Sequence, residues 1–196
     1  MDKPGGNGMT EAKSSRPTPA ALLSARGRTV PDVIAPGLKV LFVGINPSLY
    51  SAAVGRHFAR PGNRFWPVLH GAGFTARRLS ADMQDALLDD GYGITNIVAQ
   101  ATASAAELTS QQLASGGRML IEKIERYRPA CVAILGLDAY RRAFAEKIRR
   151  PGAQARTLGG AALWVLPNPS GLNAHYQLDA LVRLYAQLRH AAQENV

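Results

Sequence analysis

Two Asn-Pro-Ser tripeptides carry the side chains that are best placed to do chemistry in this sequence. Asn46 follows the apolar run 40–45, and Asn168 lies between two prolines after the run 163–166. Apolar runs bounded by turn residues predict strands buried on both faces, and proline cannot continue such a strand. Ligands of open α/β sheets bind at the carboxyl ends of the strands. We therefore expect both asparagines to face one cleft, although either tripeptide alone is also typical of an ordinary turn.

A carboxamide limits the chemistry that such a cleft can perform. The oxygen of Asn46 can accept a hydrogen bond from a water molecule, and its NH₂ group can donate. The amide cannot take up a proton at neutral pH, so a reaction that relies on Asn46 should be slow. Asp89 and Asp90 are candidates for a carboxylate near the site. They close a predicted helix, where negative charge opposes the helix dipole, and such an unfavourable placement can mark a functional residue. Two solvated surface acids are the ordinary alternative for this pair.

The remaining patterns predict the elements that position these residues. Further strands are expected at 94–98 and 131–135. Helices are expected from Asn63, from Ser80, from Thr109 with a capping box to Gln112, from Asp138 and from about Gln177. Strands that alternate with helices predict an α/β fold, a three-layer α/β/α sandwich with a mostly parallel central sheet. The segment 49–62 is long for a connection between a strand and a helix, and such loops tend to carry function.

Charge and length indicate a single basic domain. The chain has 196 residues, a formal net charge of +9 and a sequence pI of about 10.2, which favours a polyanionic partner. Residues 1–30 are rich in Gly, Pro, Ser and basic side chains, so we expect a flexible basic tail there. Residues 31–196 then form one domain.

Composition also argues against several classes of protein. The single cysteine, Cys131, lies in an apolar run and excludes an internal disulfide and cysteine-ligated metal centres. The four histidines have no paired ligand spacing, so we expect neither a metal nor a cofactor. No apolar stretch is long enough to span a membrane, and no secretory signal is recognisable. We expect a cytoplasmic monomer.

Five ordered motifs resemble those of the mismatch-specific uracil/thymine DNA glycosylases. They are GINPS at 44–48, FARPGNRFW at 58–66, GITNIV at 93–98, GGR at 116–118 and NPSGL at 168–172. Five ordered matches are far more specific than one short pattern. The resemblance implies a monofunctional enzyme that hydrolyses the N-glycosidic bond of uracil, and of related damaged pyrimidines, in double-stranded DNA. The product would be an abasic site, as in base excision repair, and the enzyme would be associated with the nucleoid.

The same resemblance suggests a role for each matching residue. Asn46 would orient the attacking water, and Phe58 would stack on the flipped base, although a Phe at a loop end can also simply anchor the core. Ile45 would offer a backbone N–H to the base. Ser51 matches a serine near the base and phosphate, and Asn168 an asparagine that contacts the base or sugar.

The segment after Asn168 is expected to enter the DNA. Leu172 is suited to fill the gap that a flipped base leaves, since apolar wedges are a common device. Relatives commonly place an arginine after the wedge to contact the opposing guanine, but this chain has Ala174, which puts the preference for guanine in doubt. The candidates for the wedge and for backbone contacts are Ser170, Gly171, Leu172, Asn173 and His175.

Two other functions fit parts of the sequence. A basic duplex-DNA-binding module of the same fold could have lost catalysis, although it would not need to keep Asn46 and Phe58. A nucleoside hydrolase acting on small molecules would need neither Leu172 nor the excess of positive charge.

Overall fold

A five-stranded sheet forms the centre of the molecule. The computed structural model of the chain describes residues 16–194. The strands are β1 (Val40–Gly44), β2 (Tyr92–Asn96), β3 (Cys131–Leu135), β4 (Gly152–Leu158) and β5 (Ala161–Leu166), in the order β2-β1-β3-β5-β4. All neighbours are parallel except β4 and β5, which are antiparallel.

Successive residues of β1 point to opposite faces of this sheet, as the strand period requires. Val40 and Phe42 enter one apolar core, whereas Leu41 and Val43 enter another. Helices α3 (Phe65–Gly71) and α6 (Leu178–Glu194) cover the first face. Helices α4 (Ser110–Tyr127) and α5 (Leu137–Phe144) cover the second. The predicted α/β/α sandwich with a mostly parallel sheet is therefore confirmed.

Local signals set most of the helix boundaries. The predicted capping box is present: the Thr109 hydroxyl accepts from Gln112 N–H, and the Gln112 side chain accepts from Thr109 N–H. The expected helix after Ser80 is instead a 3₁₀ helix, Ala81–Leu87, with non-helical geometry at Met83. A second short 3₁₀ helix spans Ala105–Glu107.

A helix and a strand within the glycine-bounded and polar parts of the chain were also not anticipated from the sequence. The segment 49–62 is not a continuous loop, because Ser48 caps a short helix, α2 (Leu49–Val54), that Gly55 ends with φ of 68°. The edge strand β4 was also missed. Its residues 153–157, with the sequence AQART, are half-buried or exposed, so it lacks the continuous buried apolar run that marks β1, β3 and β5.

The N-terminal arm, residues 16–30, differs from the expected flexible tail. It contains helix α1 (Pro19–Ser24), capped by the Thr18 hydroxyl. Ala25 and Val30 are buried in a small separate core with Ala52 and Ala101. The arm is ordered because these two apolar side chains find partners outside their own segment. Residues 1–15 of the expected tail lie outside the described residues.

Candidate active site

A polar cavity of about 240 Å³ lies at the carboxyl ends of β1 and β2. Parallel pairing places the last residues of the two strands, Gly44 and Asn96, side by side. The cavity is lined by seven of the residues singled out from the sequence, namely Ile45, Asn46, Ser51, Phe58, Asn168, Ser170 and Leu172. The two Asn-Pro-Ser segments therefore do meet at one cleft.

The carboxamide of Asn46 is held at its nitrogen. Nδ2 donates to the carbonyl of Gln100 at 3.0 Å and to Oγ1 of Thr102 at 2.8 Å. Oδ1 has no partner among the described residues, so the acceptor end of the amide is left for a ligand. The adjacent Ile45 carbonyl accepts from Val98 N–H at 2.9 Å, which ties the strand end to the same loop.

Phe58 forms an aromatic wall of the cavity in a strained backbone conformation. Its ring stacks on Phe65 with the centroids 4.0 Å apart, and its remaining surface lines the cavity. Its φ of 51° is unfavourable for an L-residue by about 1–2 kcal/mol. Two flanking bonds hold this turn: His57 N–H donates to Gln84 Oε1 at 2.8 Å, and Ala59 N–H donates to Ser51 Oγ at 3.2 Å.

Asn96 and His57 form a second polar wall that the sequence analysis did not identify. His57 is buried, and its Nε2 lies 2.9 Å from the carbonyl of Pro31, which can only accept. Nε2 therefore carries the proton, and Nδ1 accepts from Asn96 Nδ2 at 3.4 Å. A side chain on Gly44 would overlap Asn96 Oδ1, so glycine is needed there to make room for this amide.

Hydrogen bonds within the segment 168–175 shape the loop that carries Leu172. Asn168 Oδ1 accepts from Ser170 N–H at 2.9 Å, and Asn168 O accepts from Asn173 Nδ2 at 3.0 Å. Asn173 Oδ1 in turn accepts from His175 N–H at 3.2 Å. Leu172 is 76% exposed at the mouth of the cavity. Asn173 and His175 do not line the cavity, and Asn173 serves to hold the loop.

Arg64 organises this loop from the other side of the cleft. Its guanidinium donates to the carbonyls of Ser170 at 2.6 Å, Asn173 at 2.9 Å and Tyr176 at 2.6 Å. Its Nε and its backbone N–H both donate to the carbonyl of Pro169, at 3.4 and 3.0 Å. Gly171 meets the Gly62 carbonyl so closely that an added Cβ would lie 2.5 Å from its oxygen. The loop 168–175 and the start of α3 are thus held together.

Asp89 and Asp90 lie away from the site. They precede β2, whereas the cavity lies after its last residue, so the length of a five-residue strand separates them from Asn46. Both are exposed, and the Asp90 backbone carbonyl accepts from Lys39 Nζ at 3.2 Å. The structure therefore gives no support to the hypothesis that either acid assists Asn46, because neither acid is among the residues that line the cavity.

The cavity is polar without a carboxylate. No Asp, Glu or Lys occurs among the described residues that line it, and Arg60 at its rim is the one cation of that lining. Within residues 16–194 no three His, Cys, Asp or Glu side chains come together as a metal site. The chemistry of the cavity is therefore that of amides, hydroxyls, a neutral imidazole and an aromatic ring.

Residues that reasoning from the sequence missed fall into two groups. Asn96 ends a strand as Asn46 does, so the same argument applied to β2 would have found it. Thr102 and Arg64 gave no such signal, because they act on segments far away in the chain, and only the folded backbone shows which carbonyl or amide they meet.

Comparison with known families agrees with this geometry. Residues 31–189 match the family model described as the Uracil DNA glycosylase superfamily. The chain belongs to the uracil DNA glycosylase superfamily. Its function is accordingly of the DNA glycosylase type, its class is that of the hydrolases, and its substrate is DNA. The N-terminal arm lies outside the matched residues.

The described helices include none that is both long and apolar enough to cross a membrane.

Replacing Arg64 with Lys should loosen the loop 168–175. Lysine keeps the charge but cannot donate to several carbonyls in a fixed plane, so the carbonyls of Ser170, Asn173 and Tyr176 lose their guanidinium donors. The Pro169 carbonyl keeps the backbone N–H of residue 64 as its donor. We expect a loss of about 1–3 kcal/mol in the free energy of unfolding, measured by urea denaturation, and faster hydrogen exchange over 170–173. Arg78→Lys, at an exposed position, is the matched control. Equal stability of the two variants would contradict the role of Arg64.

Stability should fall in mild acid because of His57. Burial lowers the pKa of this imidazole, and this effect outweighs the Pro31 carbonyl and the Asp32 charge, which raise it. The unfolded chain then binds the proton first, so the free energy of unfolding decreases as the pH falls below about 6.5. We expect a steeper decrease for the wild type than for His57→Gln in urea titrations at several pH values. Parallel pH profiles would show that His57 does not titrate in this way.

Proposed function

We propose that this protein is a monofunctional DNA glycosylase that removes uracil and related damaged pyrimidines from double-stranded DNA. The observation that carries the proposal is the fixed Asn46 carboxamide, whose unpartnered Oδ1 shares one cavity with Phe58 and Asn96. A ring to stack on, amides for a heterocycle edge and an acceptor for water are the parts that such a reaction requires.

In the proposed reaction a water oxygen bonds to C1′ of the deoxyribose while the bond from C1′ to the base nitrogen breaks. The bonding electron pair leaves with the base, and the sugar becomes oxocarbenium-like in the transition state. Asn46 Oδ1 accepts a hydrogen bond from the water and orients it, and the displaced proton passes to solvent. Because the cavity lining has no carboxylate, the rate depends on how well the leaving base anion is stabilised.

The cavity supports recognition of a flipped pyrimidine. Phe58 offers a rigid face for stacking, worth about 1–3 kcal/mol per base. Asn96 Nδ2 is engaged with His57, which leaves its Oδ1 to accept from the N3–H of uracil. A cytosine has no hydrogen at N3, so this amide would favour uracil.

The proposed wedge is Leu172. Flipping a base costs a few kcal/mol and opens a gap in the stack, and an exposed leucine on a loop that Arg64 holds in place is suited to fill it. Ala174 provides no donor for an opposing guanine. His175 is exposed on the same loop and is the side chain that could replace one.

The monofunctional character follows from what the cavity offers as a nucleophile. A glycosylase that also cleaves the strand needs an amine to form a Schiff base. No lysine occurs among the described residues of the cavity lining, so water is the nucleophile in this proposal.

Base release from matched oligonucleotides tests the proposed activity. The substrates carry U·G, U·A, T·G, single-stranded U and ethenocytosine·G, and we expect release of uracil with an abasic site as the product. Strand cleavage without added base or heat, or an adduct trapped by borohydride, would contradict the monofunctional claim. If no substrate is processed while duplex DNA still binds, the chain is the catalytically silent binding module.

Asn46→Ala should abolish turnover and leave duplex binding intact, because it removes the acceptor for water and no other contact with DNA. Thr102→Val should lower the single-turnover rate by about threefold to tenfold, since it removes one of the two acceptors that orient Asn46. Thr102→Ser keeps the hydroxyl and is its matched control. A near-wild-type rate in Asn46→Ala would assign water activation to another group.

Leu172→Ala should impair release from duplexes while leaving release from single-stranded uracil unchanged, because a single strand has no gap to fill. The expected loss on a U·A duplex is about tenfold. Leu178→Ala is the matched control, since Leu178 is 40% exposed and does not line the cavity. Equal losses on single-stranded and duplex DNA would show that Leu172 acts on the base itself.

A further inference from the structure

The N-terminal arm makes a direct connection to the loop that holds Asn46. Gly27 N–H donates to the Ala101 carbonyl at 2.9 Å, and Ala101 N–H donates to the Arg28 carbonyl at 2.9 Å. Ala101 lies between Gln100 and Thr102, the two residues that accept from Asn46 Nδ2. The arm therefore bonds to the middle residue of the stretch 100–102, and the side chain of Asn46 bonds to its two outer residues.

Packing supports this backbone connection. Ala25 of the arm and Ala101 of the loop are fully buried against Ala52 of α2. Three alanines in one small core bring these backbones close together. Helix α1 has only six residues, too few to be stable alone, so the arm is ordered by this core and in turn holds the loop against α2.

A second path from the arm to the loop 100–104 runs through side chains. Arg26 is paired with Glu107 Oε2 at 2.6 Å, and Glu107 Oε1 accepts from Ser104 N–H at 3.0 Å. The Ser104 carbonyl accepts from the Thr102 hydroxyl at 2.8 Å. The bond from Arg26 is the main reason why the pKa of the Glu107 carboxyl is lowered, so this acid stays charged at neutral pH.

The two acceptors of Asn46 Nδ2, one of which is at the end of this path, decide which end of the Asn46 amide faces the cavity. The single proton of the Thr102 hydroxyl is donated to Ser104, so its oxygen can only accept from Asn46. The Gln100 carbonyl can likewise only accept. An Asn46 amide turned by 180° would place its oxygen against two acceptors and its NH₂ in the cavity, where it could not accept a hydrogen from water.

We propose that the N-terminal arm is a positioning element for Asn46, which keeps the loop 100–104 in the one arrangement that points Asn46 Oδ1 into the cavity. This inference rests on the proposed function for its catalytic consequence, though not for its structural one. The arm lies outside the superfamily match, which begins at residue 31, so it is an addition to the part of the chain that the match covers.

Gly27→Pro in the full-length chain tests the backbone connection. Gly27 has φ of 75°, whereas proline is held near −65° and has no N–H to give to Ala101. We expect the single-turnover rate of uracil release at saturating enzyme to fall by about tenfold or more, as for other small misplacements of catalytic groups. The Kd for a duplex containing 2′-fluorinated deoxyuridine, which resists hydrolysis, should change less than about threefold.

Arg26→Ala tests the side-chain path without touching the backbone. Both partners of this ion pair are partly exposed, so we expect a decrease in rate of about twofold to fivefold, and Arg26→Lys should restore most of it. Arg16→Ala is the matched control, because it removes the same charge from the arm at an exposed side chain that has no partner among the described residues. Its rate and its Kd should equal those of the wild type.

A third measurement separates this inference from the proposed function. Hydrogen exchange at Thr102 N–H, which donates to the Pro47 carbonyl at 3.3 Å, reports on the loop without any turnover. We expect faster exchange in Gly27→Pro and in Arg26→Ala than in the wild type and Arg16→Ala. If the wild type releases no uracil but the variants show these differences in exchange, the proposed function is refuted, whereas the structural role of the arm is retained.

Three results would overturn the role of the arm. An unchanged single-turnover rate and unchanged hydrogen exchange in Gly27→Pro would show that the arm does not position Asn46. A weaker Kd with an unchanged rate at saturation, or an equal loss in Arg16→Ala and Arg26→Ala, would make it a DNA contact instead. If thermal unfolding shows that Gly27→Pro does not fold, the Arg26 and Arg16 variants decide the question by the same rate and exchange measurements.

Discussion

The parallel pairing of β1 with β2 is the constraint on which the site depends. Its register sets Gly44 beside Asn96, so the segments that leave the two strands start from neighbouring points at one edge of the sheet. Asn46 follows one strand and Asn96 ends the other, and the absence of a side chain at Gly44 lets the Asn96 amide lie over β1. A shift of one residue would turn the side chains of the strand to the opposite face and separate the two amides.

The polarity of the site is set by groups that can only donate or only accept. The Pro31 carbonyl fixes the proton of His57 on Nε2, which leaves Nδ1 to receive the Asn96 NH₂. In the same way, the Asn46 NH₂ group donates to the Gln100 carbonyl and to the Thr102 hydroxyl oxygen, whose own proton is donated to the Ser104 carbonyl. A neutral amide is not oriented by charge, so a reaction that relies on an asparagine needs neighbouring groups that can only donate or only accept a hydrogen bond. This requirement explains why much of the structure around the cavity consists of loops tied by side-chain hydrogen bonds.

Rigid loops provide the remaining parts of the site, at a local cost in conformational energy. Phe58 occupies the left-handed region, and bonds on both sides of it hold the strained turn. Leu172 is exposed, yet the loop beneath it is fixed by the guanidinium of Arg64. In both cases a buried or half-buried polar group holds the backbone that carries an aromatic or apolar side chain at the cavity, and at Phe58 it does so against backbone strain.

The sequence by itself determined the sheet, the layers and the two asparagine segments, because buried strands, helix caps and proline stops are local patterns. It also indicated Phe58 and Leu172, through the resemblance of their motifs. The tertiary structure decided what local patterns do not contain: the largely exposed edge strand β4, the packing of the N-terminal arm, the position of Asp89 and Asp90 away from the cavity, and the contributions of Thr102 and Arg64. Each depends on a contact between segments distant in the chain, and the type of a residue does not reveal which distant carbonyl, amide or alanine it will meet after folding.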